Sequence, residues 1–372
     1  MRFVYFTHSI ASCWNHGNVH FLRGILRELR GRGHAVRIFE PRDGWSRANL
    51  VGDHGGAPLA AFSAGFPELT PEFYEGAARP QAMLEPMLDG ADVVIVHEWT
   101  DPLLVAAVGR ARRGGSFLLF FHDTHHRTVS DPEAIRAFDL SGYDGVLAFG
   151  AAVAEIYRRR GWGERAFVWH EAADVRLFRP PAVETNRQGL VWVGNWGDGE
   201  RSAELATFLL RPAVAAGLAL DVFGVRYPGE ARTAIAQHGG RYRGWLANAK
   251  VAETFGRYLA TIHVPRRFYA QALPGIPTIR VFEALACGIP FVSAPWEDSE
   301  GLFRPGEDYL VARSEDEMTN HLRALAGDPD LRARLAANGL RTIAERHTCA
   351  HRVDALLSII DRIQRPARRG AA

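Results

Sequence analysis

Residues 2–40 read RFVYFTHSIASCWNHGNVHFLRGILRELRGRGHAVRIFE, and their pattern sets the fold class. An apolar run opens the stretch and ends at a turn that contains Gly17. Leu22, Ile25, Leu26 and Leu29 follow at helical spacing, and Gly31 and Gly33 end that segment before a second apolar run begins. This order of strand, helix and strand predicts a parallel sheet with right-handed crossovers.

The same alternation continues along the chain. Further strands are predicted at residues 91–96, 116–121, 145–149, 165–169, 190–193, 218–223, 260–264, 290–294 and 309–312. Their apolar runs are nearly continuous, which is typical of strands buried on both faces. Residues 41–80 show no sustained period and are predicted to form a long loop, either a family insertion or a functional segment.

The predicted architecture is α/β, with two doubly wound, Rossmann-like domains facing each other across a cleft. The first domain spans residues 1–175 and the second spans residues 188–346, after a linker rich in proline and polar residues. Residues 347–372 are expected to form a helix that crosses back to the first domain and a disordered tail from residue 365.

Composition excludes several classes of protein. The 372 residues include 44 basic and 42 acidic side chains, a balance that argues against a nucleic-acid or membrane-surface binder. The longest uncharged apolar run is far too short to span a bilayer, so we expect no integral membrane segment. Three widely spaced cysteines favour a reducing cytoplasm. Arginine carries nearly all the positive charge, which favours a GC-rich bacterial source and arginine as the ligand of any phosphate.

Polar residues follow several of the predicted strands. In open parallel sheets, ligands bind beyond the carboxyl ends of the strands. A histidine at such a position is more often a structural hydrogen-bonding residue than a catalyst, but three such strand ends in one half favour a site. The residues concerned are His8, Ser9, His97, Glu98, His122 and Asp123 in the first half, and Gly194 and Asn195 in the second.

The most informative segment is residues 274–295, PGIPTIRVFEALACGIPFVSAP. Thr278 is predicted to begin a helix and Gly288 to end it, and the first amide groups of that helix form an anion site. Arg280 lies in the first turn, where a cation is unfavourable unless an anion binds beside it. Glu283 lies on an otherwise apolar helix and needs partners, which a ribose diol or a nearby arginine would supply equally well.

This segment resembles the nucleotide-sugar signature of GT-B glycosyltransferases, especially a CgeB-like spore-protein branch similar to glycosyltransferase family 4. Three further stretches match along nearly the whole chain: FFHDTHH at residues 120–126, AADVRLFRP at 172–180 and VWVGNWGDGERSAEL at 191–205. The chain departs from the family pattern at one position. Many family 4 enzymes carry two glutamates eight positions apart, and Gly275 stands where the first would be.

The resemblance implies transfer of a sugar from a nucleoside diphosphate sugar, most simply a UDP-sugar, to a hydroxyl acceptor. The acceptor would be a glycan, a lipid-linked sugar, a small molecule or a protein. Neither a metal nor another cofactor is expected, and the family retains anomeric configuration. The implied donor-binding residues are Gly194, Asn195, Arg201, Arg243, Gly244, Trp245, Thr278, Arg280 and Glu283. The implied catalytic residues are His122 and Asp123, and the implied acceptor-side residues are His8, Gly17, Asn18 and Glu98.

Three alternatives differ in class. Gly275 motivates a catalytically inactive GT-B-like protein that binds nucleotide or glycan without transferring sugar. A zinc site at His122, Asp123, His125 and His126 lacks the helical spacing of known zinc motifs and any supporting cysteine pair. A dinucleotide-dependent dehydrogenase needs a GxGxxG turn after its first strand, and this chain has none there. Arg201 also has a simpler reading, as a solvated arginine at the start of a helix.

Overall fold

A computed structural model describes residues 1–75, 80–163, 165–182 and 186–369. The chain divides into two compact units. The first contains Met1–Trp14, Asn18–Glu171 and the chain from Cys349 onward, and the second contains Asn15–Gly17 and Ala172–Thr348.

The first unit is built on one parallel sheet. Its strands are β1 (Arg2–Phe6), β2 (Ala35–Pro41), β3 (Glu72–Tyr74), β4 (Val93–His97), β5 (Leu118–Asp123), β6 (Gly145–Ala148) and β7 (Ala166–Val168). The helices of the first unit that precede residue 171 are α1 (Val19–Gly31), α2 (Trp45–His54), α3 (Ala57–Gly65), α4 (Pro80–Leu88), α5 (Pro102–Gly114), α6 (Arg127–Ser130), α7 (Pro132–Arg136) and α8 (Ala151–Arg160). Within the described residues the strand order is β3-β2-β1-β4-β5-β6-β7. Every residue of β4 and β5 is buried, as their apolar runs predict.

The prediction of a long loop at residues 41–80 is wrong. Most of that segment forms α2, α3, a short 3-10 helix (Pro67–Leu69) and the edge strand β3, while residues 76–79 lie outside the described part. Helix α2 buries only Ser46 and Leu50, and α3 buries only Phe62. So few buried positions give no apolar stripe that periodicity would reveal.

The second unit repeats the architecture. Its strands are β8 (Leu190–Val193), β9 (Leu220–Phe223), β10 (Arg241–Gly244), β11 (Ala260–His263), β12 (Phe291–Ser293) and β13 (Leu310–Val311). Its helices are α9 (Ser202–Leu205), continued by a π-helical turn (Ala206–Leu210) into α10 (Arg211–Ala215), α11 (Gly229–Gln237), α12 (Asn248–Phe255), α13 (Arg267–Ala272), α14 (Ile279–Ala286), α15 (Glu315–Gly327) and α16 (Pro329–Arg346). The described strands pair in parallel in the order β10-β9-β8-β11-β12-β13.

Two apolar layers cover this second sheet. Trp192, Leu205 and Leu210 belong to one layer, while Phe282 of α14 and Phe291 of β12 belong to the other. Burial on both faces leaves the strand ends as the places where polar side chains reach solvent. In each sheet the chain turns in opposite directions from a central strand, β1 or β8, and such switch points are where ligands bind. The predicted α/β, doubly wound fold class is confirmed for both units.

The last helix, α17 (Cys349–Arg369), belongs to the first unit, where it packs against α1. Val353 and Leu356 are fully buried, and the indole Nε1 of Trp169 donates to the carbonyl of Arg352 at 2.8 Å. The predicted tail from residue 365 begins inside this helix, and residues 370–372 lie outside the described part.

Shortening Leu356 tests how much α17 stabilises the first unit. We expect Leu356→Ala to lower the free energy of unfolding by about 2–5 kcal/mol, because it leaves a cavity in a packed core. Ser358→Ala, at an exposed position of the same helix, is the matched control and should change it by less than about 0.5 kcal/mol. Urea unfolding followed by circular dichroism measures both variants. Equal stability of the two variants would contradict this packing.

Candidate functional site

Helix α14 begins as the sequence predicts, with Thr278 at its N-cap position and extended backbone there. The threonine side chain does not cap the helix, however. Its hydroxyl lies 3.0 Å from Nε2 of His263, whose Nδ1 lies 2.9 Å from the hydroxyl of Ser293. The first amide groups of α14 are therefore not capped by this side chain, and an anion would satisfy them.

Glu283 is fully buried on α14 and forms an ion pair with Arg280, one turn earlier. The Arg280 side chain is itself only 16% exposed. The sequence leaves two possible partners for the Glu283 carboxylate, a ribose diol and a nearby arginine. The structure contains the arginine. Burying a pair of charges is tolerable only when both are matched, so the pair fixes both side chains at the start of the helix.

Arg201 lies at the end of the loop that follows β8, immediately before α9. Its guanidinium donates to the carbonyl of Val264 at 2.8 Å and to the carbonyl of Asn195 at 2.9 Å. The Nε of Arg201 is buried and has no hydrogen-bond partner among the described residues. Burial, with added repulsion from Arg266 and Arg280, lowers the pKa of Arg201 to about 10. Three guanidinium groups are therefore close enough to interact, which is an arrangement that favours an anion.

Arg266 and His263 were not predicted as site residues. Arg266 donates to Oε2 of Glu200 at 2.6 Å and to Oδ1 of Asn195 at 3.1 Å. Burial, and then the charges of Arg201 and Arg280, lower the pKa of His263 to about 3, so this imidazole is neutral at physiological pH. Both residues lie at the end of β11, next to β8, and the strand-end rule applied there would have found them.

The remaining predicted donor residues lie on the same edge of the second sheet. The sequence predicts Arg243, Gly244 and Trp245 in a loop after a strand. Arg243 and Gly244 belong instead to the edge strand β10 itself, and half-buried Trp245 follows them. The Nε of Arg243 donates to Asp221 at 2.9 Å, which fixes its guanidinium beside β9. At the end of β8, the carbonyl of Gly194 accepts from the Tyr227 hydroxyl at 2.8 Å.

An open pocket of about 470 Å³ lies between the loops that follow β8 and β9. Asp198 and Arg226 face each other there, with 3.1 Å between their charged groups. Both residues have a left-handed backbone, with φ of +51° and +60°, which is uncommon outside glycine and costs energy. The pocket is lined by Trp196, Asp198, Gly199, Ser202, Arg226, Tyr227, Pro228 and Glu230.

In the first unit, Glu98 and Asp123 are both fully buried at the ends of β4 and β5. Oε2 of Glu98 accepts from Nε and Nη2 of Arg127 at 3.1 and 3.0 Å, and Oε1 accepts from the amide of Thr124 at 2.7 Å. Asp123 accepts from the Tyr157 hydroxyl at 2.8 Å. Burial and the neighbouring Asp123 raise the pKa of Glu98 to about 8, although Arg127 opposes the shift, and burial also raises the pKa of Asp123.

The other predicted residues of the first half differ in accessibility. His122 is fully buried, with Nδ1 close to the Tyr5 hydroxyl and its ring against Trp169, and burial lowers its pKa to about 3. Burial lowers the pKa of His8 to about 4. His122 therefore lies in the core, where it can act on a ligand only through its neighbours. Asn18 is half-buried and donates to the Thr124 hydroxyl at 2.8 Å.

Gly17 was predicted on the acceptor side, but the segment Asn15–Gly17 groups with the second unit. A side chain at Gly17 would place its Cβ 2.9 Å from Cγ2 of Ile279, so a larger residue here would have to displace that side chain at the start of α14. Across the described residues, no three His, Cys, Asp or Glu side chains are grouped so as to hold a metal ion. No helix in the described part of the chain combines the length and hydropathy needed to cross a bilayer.

The Glu98–Asp123 pair predicts a pH-dependent stability. The folded protein keeps one proton on the Glu98–Asp123 pair up to about pH 8, whereas an unperturbed glutamate releases its proton near pH 4.5. This contribution to stability is therefore complete below pH 4.5 and is lost as the pH rises towards 8, at up to about 1.4 kcal/mol per pH unit. Urea unfolding between pH 5 and 8 should show this slope, and Glu98→Gln should reduce it. Exposed Glu133→Gln is the control; an equal slope in both variants would refute the assignment.

Comparison with known families gives two matches, one to each half of the chain. Residues 17–177 match the family described as Glycosyltransferase Family 4, and residues 201–358 match the family described as Glycosyl transferase-like. Comparison with curated protein sequences gives no significant match.

Several solved structures share the fold over nearly their whole length. A glycosyltransferase from Rickettsia africae has a TM-score of 0.68 at 10% identity, with 98% of each chain covered. Sucrose-phosphate synthase from Thermosynechococcus elongatus has a TM-score of 0.64 at 13% identity, covering 98% of this chain and 100% of that one. Anabaena HepE in complex with UDP-glucose has a TM-score of 0.67 at 14% identity, covering 96% and 99%. The chain therefore has the GT-B fold, and each of its halves matches a family of glycosyltransferases.

Proposed function

We propose that this protein is a bacterial, cytoplasmic glycosyltransferase that moves a sugar from a nucleoside diphosphate sugar to a hydroxyl acceptor. The observation that carries the proposal is the convergence of Arg201, Arg266 and Arg280 near the start of α14. Together with the amide groups of that helix, these side chains offer charge and hydrogen bonds of the kind a diphosphate needs. The resemblance of residues 274–295 to the CgeB-like branch of family 4 supports the same reading.

The arginines also supply the chemistry of the leaving group. Breaking the bond between sugar and diphosphate leaves negative charge on the phosphate oxygens. Fixed guanidinium groups in a buried setting stabilise that charge without reorganising. We therefore propose that transfer proceeds without a divalent metal, because Arg201, Arg266 and Arg280 already supply positive charge. We also propose that transfer retains the anomeric configuration, as the resemblance to family 4 implies.

Glu283 would exchange partners when the nucleotide binds. Its carboxylate pairs with Arg280 in the structure, and the two hydroxyl groups of a ribose are suitable replacements as donors. Arg280 would then turn towards the diphosphate. Anabaena HepE has been solved with UDP-glucose, and that neighbour supports UDP as the nucleotide. At the edge of the first unit, His8, Asn18 and Glu98 would contact or position the acceptor, with Asp123 and His122 behind them.

One observation favours a second candidate, a protein that binds nucleotide without transferring sugar. Gly275 has a φ of +83°, and a Cβ there would lie 2.7 Å from the Ser299 hydroxyl. The backbone at this position therefore strongly disfavours the glutamate that many family 4 enzymes carry. Release of the nucleoside diphosphate from a donor sugar in the presence of acceptor separates the two candidates, because a non-transferring protein releases none.

Nucleotide titration tests the donor site directly. We expect calorimetry with UDP, GDP, dTDP, ADP and CDP to show that UDP binds and that magnesium does not change its affinity. Glu283→Ala should weaken the binding of UDP by at least about tenfold, because a buried carboxylate that accepts from two ribose hydroxyl groups is lost. Exposed Glu345→Gln is the control and should bind as the wild type does. Failure of all five nucleotides to bind would refute the proposal.

Replacing Arg201 tests the diphosphate contact separately. A charge-assisted hydrogen bond contributes about 1.5–3 kcal/mol, so Arg201→Ala should weaken the binding of UDP by roughly 10- to 150-fold. Arg201→Lys should recover part of the loss, since it restores the charge but not the fork. Arg267→Ala, on a half-exposed arginine paired with Glu204, is the matched control. Thermal unfolding of each variant shows whether the loss is one of binding or of folding, and unchanged UDP affinity in Arg201→Ala would contradict the assignment.

A further inference from the structure

Trp99 lies just beyond the carboxyl end of β4, in the short loop that leads to α5. Its side chain is 40% exposed, although an indole is among the most apolar surfaces a protein can bury. The strand before it is completely buried. Exposed aromatic residues at the ligand-binding edge of a parallel sheet are candidates for direct contact with a ligand.

The indole is held rigidly. Cζ of Arg127 lies 4.1 Å from the centroid of the Trp99 ring, in cation–π contact. Glu98 fixes this guanidinium through its carboxylate and also through its carbonyl, which accepts from Nη2 of Arg127 at 2.6 Å. The ring centroid of His125 lies 5.4 Å from that of Trp99, and that of His8 lies 6.5 Å away. A ring that is already ordered loses little conformational entropy when a ligand stacks on it.

The same edge carries an unused hydrogen-bond acceptor. The amide nitrogen of Asn18 donates to the Thr124 hydroxyl, and that hydroxyl donates to Glu98, the residue that anchors Arg127. The amide oxygen of Asn18 is buried and has no hydrogen-bond partner among the described residues. A buried acceptor without a donor costs free energy, which a ligand hydroxyl would recover.

A rigid, half-exposed ring close to polar side chains matches the chemistry of a pyranose. One face of that ring presents C–H groups that pack on an indole, and its rim presents hydroxyl groups. An acyl chain would need apolar neighbours, whereas Trp99 is surrounded by Arg127, His8 and His125. We propose that Trp99 is the stacking surface for an acceptor sugar and that the acceptor is consequently a glycan. The identification of this sugar as the acceptor rests on the proposed transferase function. The contact between Trp99 and a sugar does not depend on turnover.

The test uses the full chain and an array of defined mono- and oligosaccharides built from common pyranoses, probed with and without UDP. Wild-type protein should bind at least one glycan, and Trp99→Ala should weaken the binding of that glycan by at least about tenfold. Trp99→Phe should lose no more than about threefold, because a smaller aromatic face remains. Trp45→Ala is the matched control, since Trp45 is a tryptophan of similar exposure, 43%, on α2. UDP affinity, measured separately, should be the same in all four proteins.

Three results would overturn the inference: wild-type protein that binds UDP but no glycan, Trp99→Ala that binds the glycan as the wild type does, or an equal loss in Trp45→Ala. The nucleotide titration keeps the proposed function apart from this inference. Glycan binding that depends on Trp99 in a protein that binds no nucleotide would refute the transferase and leave the sugar contact standing. A general loss of stability in Trp99→Ala is recognised by its UDP affinity, and Trp99→Phe then decides the question.

Discussion

Parallel strands covered by helices on both faces leave polar side chains few places to reach solvent. Within the described residues this constraint holds in both units, where every residue of β4, β5, β8 and β11 is buried. Charged groups that take part in binding must therefore gather where the strands end. Glu98 and Asp123 lie at such an edge of the first sheet, and Arg201 and Arg266 lie at the corresponding edge of the second sheet.

Each edge contains a buried carboxylate that is matched by an arginine, but the two pairs differ in what surrounds them. Glu98 accepts from Arg127, and that guanidinium in turn lies against the exposed ring of Trp99. Glu283 pairs with Arg280 in a neighbourhood that holds further positive charge. Removing one partner from such a pair costs about 3–5 kcal/mol, because the other charge stays buried. The Glu98–Arg127 pair consequently positions the exposed ring of Trp99. The Glu283–Arg280 pair keeps the Arg280 guanidinium where an anion could bind.

The sequence predicts the parts of this structure that depend on a regular apolar pattern. The strands appear as continuous apolar runs, and the start of α14 follows from Thr278 and the apolar residues after Arg280. Residues 41–80 could not be predicted, because α2 and α3 bury only three side chains between them. The burial of His122 was equally hidden, since the approach of Tyr5 and Trp169 to its ring depends on tertiary packing. Arg266 differs from His122, because its place just after the strand predicted at residues 260–264 is a signal that the sequence itself carries.

Arg201 has the most to gain from an anion among the three converging arginines. Arg266 bonds to Glu200, and Arg280 pairs with Glu283, so a carboxylate already matches each of those charges. The guanidinium of Arg201 donates instead to neutral oxygen atoms of Val264 and Asn195, and its Nε is buried without a partner among the described residues. Its lowered pKa shows that the protein stabilises this charge poorly. A diphosphate would supply both the missing acceptor and the missing charge, so we expect the binding energy of a nucleotide to be concentrated at Arg201.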